Sequence, residues 1–304
     1  MKKLIHSGET LLPRVAMALC VCGILLSACA EPEFILPGKR ESVQSILSPD
    51  QQPQQNETRP VSLPTASANG NWTQDQGTPA TRVAHPALAA PLTQIWSADI
   101  GAGDSRKQRI NASPVVANGV IYTLDAEARV TATTLSGARV WDADLVPVRG
   151  RSGQGAGGGL AFASGRLYVA LGFGVLVALD ATNGQEIWTQ SFEGTASGAP
   201  TVSGDIVYLT VSDDRGWAVS ADDGRQLWQL AASPDVNNAF GAPAPAVSGD
   251  LAIFAFGSGE VQAVFRRGGL RRWEASVAGV RPGTALGAVV DVTGAPVIVG
   301  NTVY

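Results

Sequence analysis

The feature that most constrains this chain is an internal repeat in which Gly, three residues and Trp recur: Gly137 to Trp141, Gly184 to Trp188, Gly224 to Trp228 and Gly269 to Trp273. Read from Trp141 to Trp273, the tryptophans are spaced by 47, 40 and 45 residues, and Trp96 lies 45 residues before Trp141. A second mark precedes each tryptophan: Pro114 to Tyr122, Leu160 to Tyr168, Pro200 to Tyr208 and Pro245 to Ile253 each hold an apolar stretch, a glycine turn and a second apolar stretch. Within one copy the pattern reads as four strands. The first runs to the glycine, the second ends at Tyr or Ile, the third is continuous and apolar as in Val175 to Leu179, and the fourth follows Asn183-Gly184 and carries Trp188. A third strand without polar alternation is buried on both faces, as happens where one twisted sheet stacks on the next. Helical solenoids need a 3.6-residue period that these copies lack. The expected fold is therefore all-β, a β-propeller of four-stranded blades, which protects its strand edges by radial repetition.

Composition agrees with that reading. The 35 glycines among β-branched residues favour short strands and tight turns, and 45% hydrophobic against 16% charged residues suits a folded domain. The net charge is -4, and it becomes -6 once Lys2, Lys3, Arg14 and Glu9 of the N-terminal segment are set aside. Nucleic acid is thereby excluded as the main partner, because phosphate binding needs a net basic face.

Residues 1–28 have the parts of a secretory signal: Lys2, Lys3 and Arg14 ahead of an uncharged apolar run from Val15 to Leu26, which is too short to span a bilayer. The run ends in Leu26-Ser27-Ala28-Cys29, which resembles the bacterial lipobox. That resemblance implies cleavage before Cys29, a diacylglycerol on its thiol, and, with Ala30 rather than Asp in second place, sorting to the outer membrane. Several acyl chains on one cysteine hold a domain durably, at about 0.8 kcal/mol per buried methylene. Since Cys20 and Cys22 would leave with the signal and Cys29 would carry lipid, disulfides, thiolate metal sites and cysteine nucleophiles are not expected. From 29 to 91 the chain is rich in Pro, Gln, Ser, Asn and Thr and reads as a flexible lipid-anchored linker, with Trp72 among the few residues able to dock on the domain or a partner. The propeller then occupies 92–304.

The copies resemble the pyrroloquinoline-quinone-type propeller repeat, whose blade ends in Ala-x-Asp-x-x-x-Gly-x-x-x-Trp with the Trp docking between blades. Ala178, Asp180, Gly184 and Trp188 match it in full, while Ala218, Gly224 and Trp228, or Ala263, Gly269 and Trp273, keep all but the Asp. The resemblance implies that Trp96, Trp141, Trp188, Trp228 and Trp273 are structural blade anchors. A fifth copy opens at Pro296-Val-Ile-Val-Gly300 and reaches Tyr304, so about four and a half blades are expected against eight in the full-length family. Quinoprotein alcohol dehydrogenases share the repeat. They stack their cofactor on a vicinal cysteine pair, which is absent here.

The chain from Cys29 onward is identified as a member of the BamB family, lipoproteins of the outer-membrane barrel assembly machinery, in a form like that of alphaproteobacteria. The residues that carry this are the lipobox, Leu92-Thr-Gln-Ile-Trp96-Ser-Ala-Asp-Ile-Gly101, the divergent repeats, and the long connection before Asp291-Val-Thr-Gly-Ala-Pro296. Membership implies a non-catalytic scaffold without cofactor or metal. Its partners would be the barrel-inserting subunit BamA, other subunits of the machinery and unfolded outer-membrane proteins. By the same resemblance the loops entering the fourth and fifth copies face BamA. Asp291 aligns with an acidic residue of that surface, and Asn238 and Phe240 lie in the preceding loop, with Phe240 where the family has Arg. A solvated or turn-capping Asp is the alternative at 291.

Gly153 to Gly159 leads into a strand rather than a helix, so it reads as a connection between blades and not as a phosphate loop. Arg266, Arg267, Arg271 and Arg272 flank the Gly268-Gly269 turn and read as a solvated hairpin tip. Two other readings stay open: a quinone-dependent periplasmic dehydrogenase-like propeller, and a periplasmic ligand-binding propeller outside barrel assembly.

Overall fold

Two-residue turns build the first hairpin of every copy. Asn118-Gly119 and Ser164-Gly165 have positive φ at both positions (54° and 77°, 50° and 76°), as a type I′ turn requires, whereas Gly204-Asp205 and Gly249-Asp250 place the glycine first, in the order of type II′. A computed structural model of the chain describes residues 60–304 other than 89, 107, 149–156, 197, 212–213, 234–242 and 278–291.

Residues 62–304 form one compact unit. Blade 1 contains β1 (Val115–Ala117), β2 (Val120–Leu124), β3 (Arg129–Thr134) and β4 (Arg139–Asp144). Blade 2 contains β5 (Gly158–Ala163), β6 (Arg166–Leu171), β7 (Val175–Asp180) and β8 (Glu186–Ser191). Blade 3 contains β9 (Thr201–Ser203), β10 (Ile206–Val211), β11 (Arg215–Ser220) and β12 (Gln226–Ala231), and blade 4 contains β13 (Ala246–Ser248), β14 (Leu251–Ala255), β15 (Glu260–Phe265) and β16 (Arg271–Ser276). A two-stranded hairpin, β17 (Ile298–Val299) and β18 (Thr302–Val303), opens a fifth copy. Each blade is an antiparallel meander in sequence order, and no helix occurs among the described residues. The fold is an all-β propeller, present in part.

The first strands of successive blades approach one another, β1 to β5, β5 to β9, β9 to β13 and β13 to β17, so they stand nearest the axis. The fourth strands are the outer ones, with mostly exposed residues. The third strands β3, β7, β11 and β15 have four consecutive buried residues each, the expected burial on both faces, although only β7 and β11 fill them with an unbroken apolar run; β3 buries Thr131 and Thr133, and β15 buries Gln262. The second strand differs from the sequence expectation. It does not end at Tyr122, Tyr168, Tyr208 or Ile253 but continues to Leu124, Leu171, Val211 and Ala255. The residues past the aromatic, such as Val169, Ala170 and Leu171, are fully buried and still paired with β7, so the ladder extends as far as both faces remain covered.

The apolar cores lie between blades. One cluster joins Leu124 and Val130 of blade 1 to Leu167 and Val169 of blade 2, a second joins Leu176 to Val207 and Val219, and a third joins Tyr208 to Phe254 and Val264. A fourth joins Ile253 and Ala263 to Ile298 and Val303 of the hairpin. The run of glycines enters β5 at Gly158, two residues earlier than the sequence reading starts that strand. A Cβ on Gly159 would stand 2.4 Å from the Ala199 Cα, in the connection to blade 3. Only glycine lets these backbones approach so closely.

Candidate functional site

Each motif residue has a physical task. Ala132, Ala178, Ala218 and Ala263 pair across the sheet with Trp141, Trp188, Trp228 and Trp273, and in every blade the register shifts immediately after that alanine. The small side chain and the bulge turn the indole out of its own sheet toward the next blade. Asp180 shapes the following turn, accepting from the Thr182 backbone N–H at 2.8 Å and from its hydroxyl, which holds the carboxyl below the usual carboxylate range.

The tryptophans then dock on the neighbouring copy. Trp96 lies on Gly137, Trp141 on Gly184, Trp188 on Gly224 and Trp228 on Gly269, and a Cβ on those glycines would stand 2.5 to 3.1 Å from the indole carbons. Their Nε1 atoms donate to the carbonyls of Leu135, Ala181, Ala221 and Arg266 at 2.8 to 3.2 Å. Tyr122, Tyr168 and Tyr208 donate to the same carbonyls of Ala181, Ala221 and Arg266, each at 3.2 Å. Burial among these apolar neighbours pushes the phenols up, Tyr208 to about 12. Trp273 packs in the cluster that contains Ile298 and Val303.

The inner edges of the blades are covered by the chain itself. Residues 72–80, which the sequence reading assigns to the linker, lie along the first strands. Trp72 exchanges two backbone hydrogen bonds of 2.7 Å with Val116, Phe162 N–H donates to Thr73 O at 2.7 Å, Val247 N–H to Pro79 O at 2.7 Å, and Ile298 N–H to Ala80 O at 2.8 Å. The side chain of Gln74 binds both the N–H and the C=O of Val202, at 3.0 and 2.8 Å. The flexible-linker expectation fails for this stretch, because main-chain pairing holds it where apolar burial would not.

A cleft of about 390 Å³ beside blade 1 is lined by Asp99, Asp125, Glu127, Arg129 and Asp144 among others. Asp125 is committed to backbone N–H groups of Ala102, Glu127 and Arg129, each at 2.8 Å, so it shapes a turn rather than offering a free base. No three His, Cys, Asp or Glu residues are placed to hold a metal ion among the described residues. The arginines near Gly268-Gly269 all have neighbours: Arg266 reaches Ser203 Oγ at 3.3 Å, Arg267 pairs with Asp205 at 3.7 Å, Arg271 with Glu274, and Arg272 stands over the Phe265 ring at 5.9 Å. Cys29, Asn238, Phe240 and Asp291 lie outside the described residues.

Comparison with known proteins places this architecture. The family model described as "Outer membrane protein assembly factor BamB" matches residues 126–304. Outer membrane protein assembly factor BamB of Yersinia pestis is 26% identical over 217 residues, 70% of this chain and 55% of that protein. Its counterpart in Alteromonas naphthalenivorans is 27% identical over 259 residues, 80% of this chain and 62% of that protein. The chain thus spans about 55 to 62% of the length of these relatives. Among solved structures, BamB from Moraxella catarrhalis superposes with a TM-score of 0.55 at 16% identity, covering 67% of this chain and 60% of that one. Quinohemoprotein alcohol dehydrogenase from Comamonas testosteroni gives 0.54 at 20% identity, covering 69% of this chain and 42% of that one. Both structural likenesses concern the fold.

Proposed function

The chain belongs to the outer membrane protein assembly factor BamB family, and from that premise we propose that it is a non-catalytic scaffold of barrel assembly, held to the periplasmic face of the outer membrane by lipid on Cys29. The observation that carries the reading is the series of blades locked by Trp141, Trp188 and Trp228, a family architecture whose repeating residues are spent on packing. In this reading residues 1–28 are the signal and the stretch after Cys29 is the tether. Among the described residues, no helix is long and apolar enough to cross a membrane.

The loops containing Asn238, Phe240 and Asp291 face BamA, with Asp291 pairing a basic residue and Phe240 acting as an apolar anchor. Unfolded barrel strands add to the outer edges of the blades. The exposure of Val140, Ile187 and Leu227 on β4, β8 and β12, each one residue before its tryptophan, supports that choice of edge.

A quinone-dependent dehydrogenase would need residues that do not fit. All three cysteines lie at 20, 22 and 29, outside the repeats, and residues 72–80 line the inner edges of the blades. Affinity capture from detergent-solubilised envelopes tests the scaffold reading. BamA is expected to co-purify and deletion to lower outer-membrane barrel levels. Capture without BamA, together with unchanged barrel levels, overturns it.

A further inference from the structure

Five backbone N–H groups occupy the same place in five copies: Val116, Phe162, Val202, Val247 and Ile298, each two residues after Pro114, Leu160, Pro200, Pro245 or Pro296. All five donate to one short segment, to Trp72 O, Thr73 O, Gln74 Oε1, Pro79 O and Ala80 O, at 2.7 to 3.0 Å. Three successive residues serve blades 1 to 3, a turn intervenes, and two successive residues serve blade 4 and the hairpin. At blade 3 the carboxamide of Gln74 stands in for a peptide group, accepting from Val202 N–H and donating to Val202 O. Gln76 Nε2 adds a bond to Pro296 O at 2.9 Å. Both glutamines are buried, at 5% and 6% exposure; Gln74 finds partners for both groups of its amide and Gln76 for its Nε2, while Gln76 Oε1 has no partner among the described residues.

The turn that lets the segment pass from blade 3 to blade 4 is itself well made. Gly77 N–H donates to Gln74 O at 2.8 Å, the Thr78 hydroxyl accepts from Thr81 N–H at 3.0 Å, and Trp72 Nε1 donates to Asp75 O at 3.2 Å. Gly77 has φ 88°, and a Cβ there would stand 2.9 Å from Val83 Cγ2, so the turn needs glycine.

Unpaired edge N–H groups recruit any extended chain that can reach them. Covalent attachment gives residues 71–82 a high effective concentration at these edges. We infer that residues 71–82 are an internal peptide ligand of the blade ring, which fixes the spacing of successive blades and closes their inner edges to every other extended chain. Strand addition by another polypeptide is then confined to the outer edges.

The test is residue-resolved hydrogen exchange on the full chain, on Gln74→Ala, and on a chain whose residues 71–82 are replaced by a Gly-Ser sequence of equal length. In the intact chain the five amides are expected to exchange slowly as a group. In the replaced chain they exchange about tenfold faster or more, as local opening without a partner allows. A synthetic peptide Asn-Trp-Thr-Gln-Asp-Gln-Gly-Thr-Pro-Ala-Thr-Arg restores protection in the replaced chain and fails to bind the intact one. Gln74→Ala speeds Val202 and leaves Val116 unchanged, a readout that holds if the replaced chain does not fold. Rapid exchange of the five amides in the intact chain, equal peptide binding to both forms, or no selective change at Val202 overturns the inference.

Discussion

The indole of Trp188 covers Gly224 of the following blade so closely that a Cβ there would stand 2.5 Å from Cε3, while its Nε1 donates to Ala221 O at 3.2 Å. Glycine and tryptophan are four residues apart within each copy, yet every seated pair joins two copies. The repeat unit read along the chain is thus displaced from the contact it serves.

Gly224→Ala is expected to destabilise the protein by about 3 kcal/mol, combining the strain of φ 71° for a residue with a Cβ and the collision with Trp188. Gly119→Ala, at φ 77° with open space around it, bears the backbone cost alone, about 1 kcal/mol. Urea unfolding of the two variants checks the difference. In a Trp188→Ala background the cost of Gly224→Ala falls to that of Gly119→Ala.

Tyr208 and Trp228 share one acceptor, Arg266 O, at 3.2 and 3.1 Å. Either Tyr208→Phe or Trp228→Phe leaves that carbonyl one donor. The double variant removes both, and the loss exceeds the sum of the single losses by up to about 1 kcal/mol, since a half-buried acceptor without a donor keeps part of its desolvation cost. A double-mutant cycle from denaturant midpoints measures it.

Alkaline stability follows from the phenol of Tyr208, whose folded-state value of about 12 lies above the ordinary 10. The unfolded chain releases this proton first. The stability that depends on the neutral phenol is complete below pH 10, falls as pH rises from 10 to about 12, and then levels off. Tyr122 and Tyr168, raised by burial, add to the same limb. Thermal midpoints recorded against pH should fall less steeply in Tyr208→Phe than in the unaltered chain.

For the partner surface, Asp291→Lys is expected to reduce BamA recovery about tenfold, the order that one reversed charge at a pairing site produces. The unfolding midpoint stays unchanged. Equal recovery removes Asp291 from the proposed interface and leaves Phe240→Ala as the variant that tests the neighbouring loop.

The sequence made the blades legible because their determinants are local and periodic. Ala178 opposite Trp188, the turn at Asp180 and the buried run from Leu176 to Leu179 all fall within one copy, where spacing reveals them. The seat of each indole was hidden, because pairing Trp141 with Gly184 requires knowing how one sheet rotates against the next. The segment at 72–80 was hidden for another reason. Composition counts apolar surface, and this stretch is held by carbonyl oxygens, which every sequence possesses. Its visible signals were Trp72 in a polar run and the alternate glutamines Gln74 and Gln76. Outer-edge exposure at Val140, Ile187 and Leu227 follows from strand alternation, whereas the loop residues Asn238, Phe240 and Asp291 rest on family alignment rather than on any periodic pattern.

The docking of each indole on the copy after its own gives the series a polarity. Trp141 precedes Gly184 in the chain, and Trp188 precedes Gly224, so each of these blades carries a knob whose socket belongs to the blade after it. The rotation of each of these blades is thereby set against its successor rather than against its predecessor.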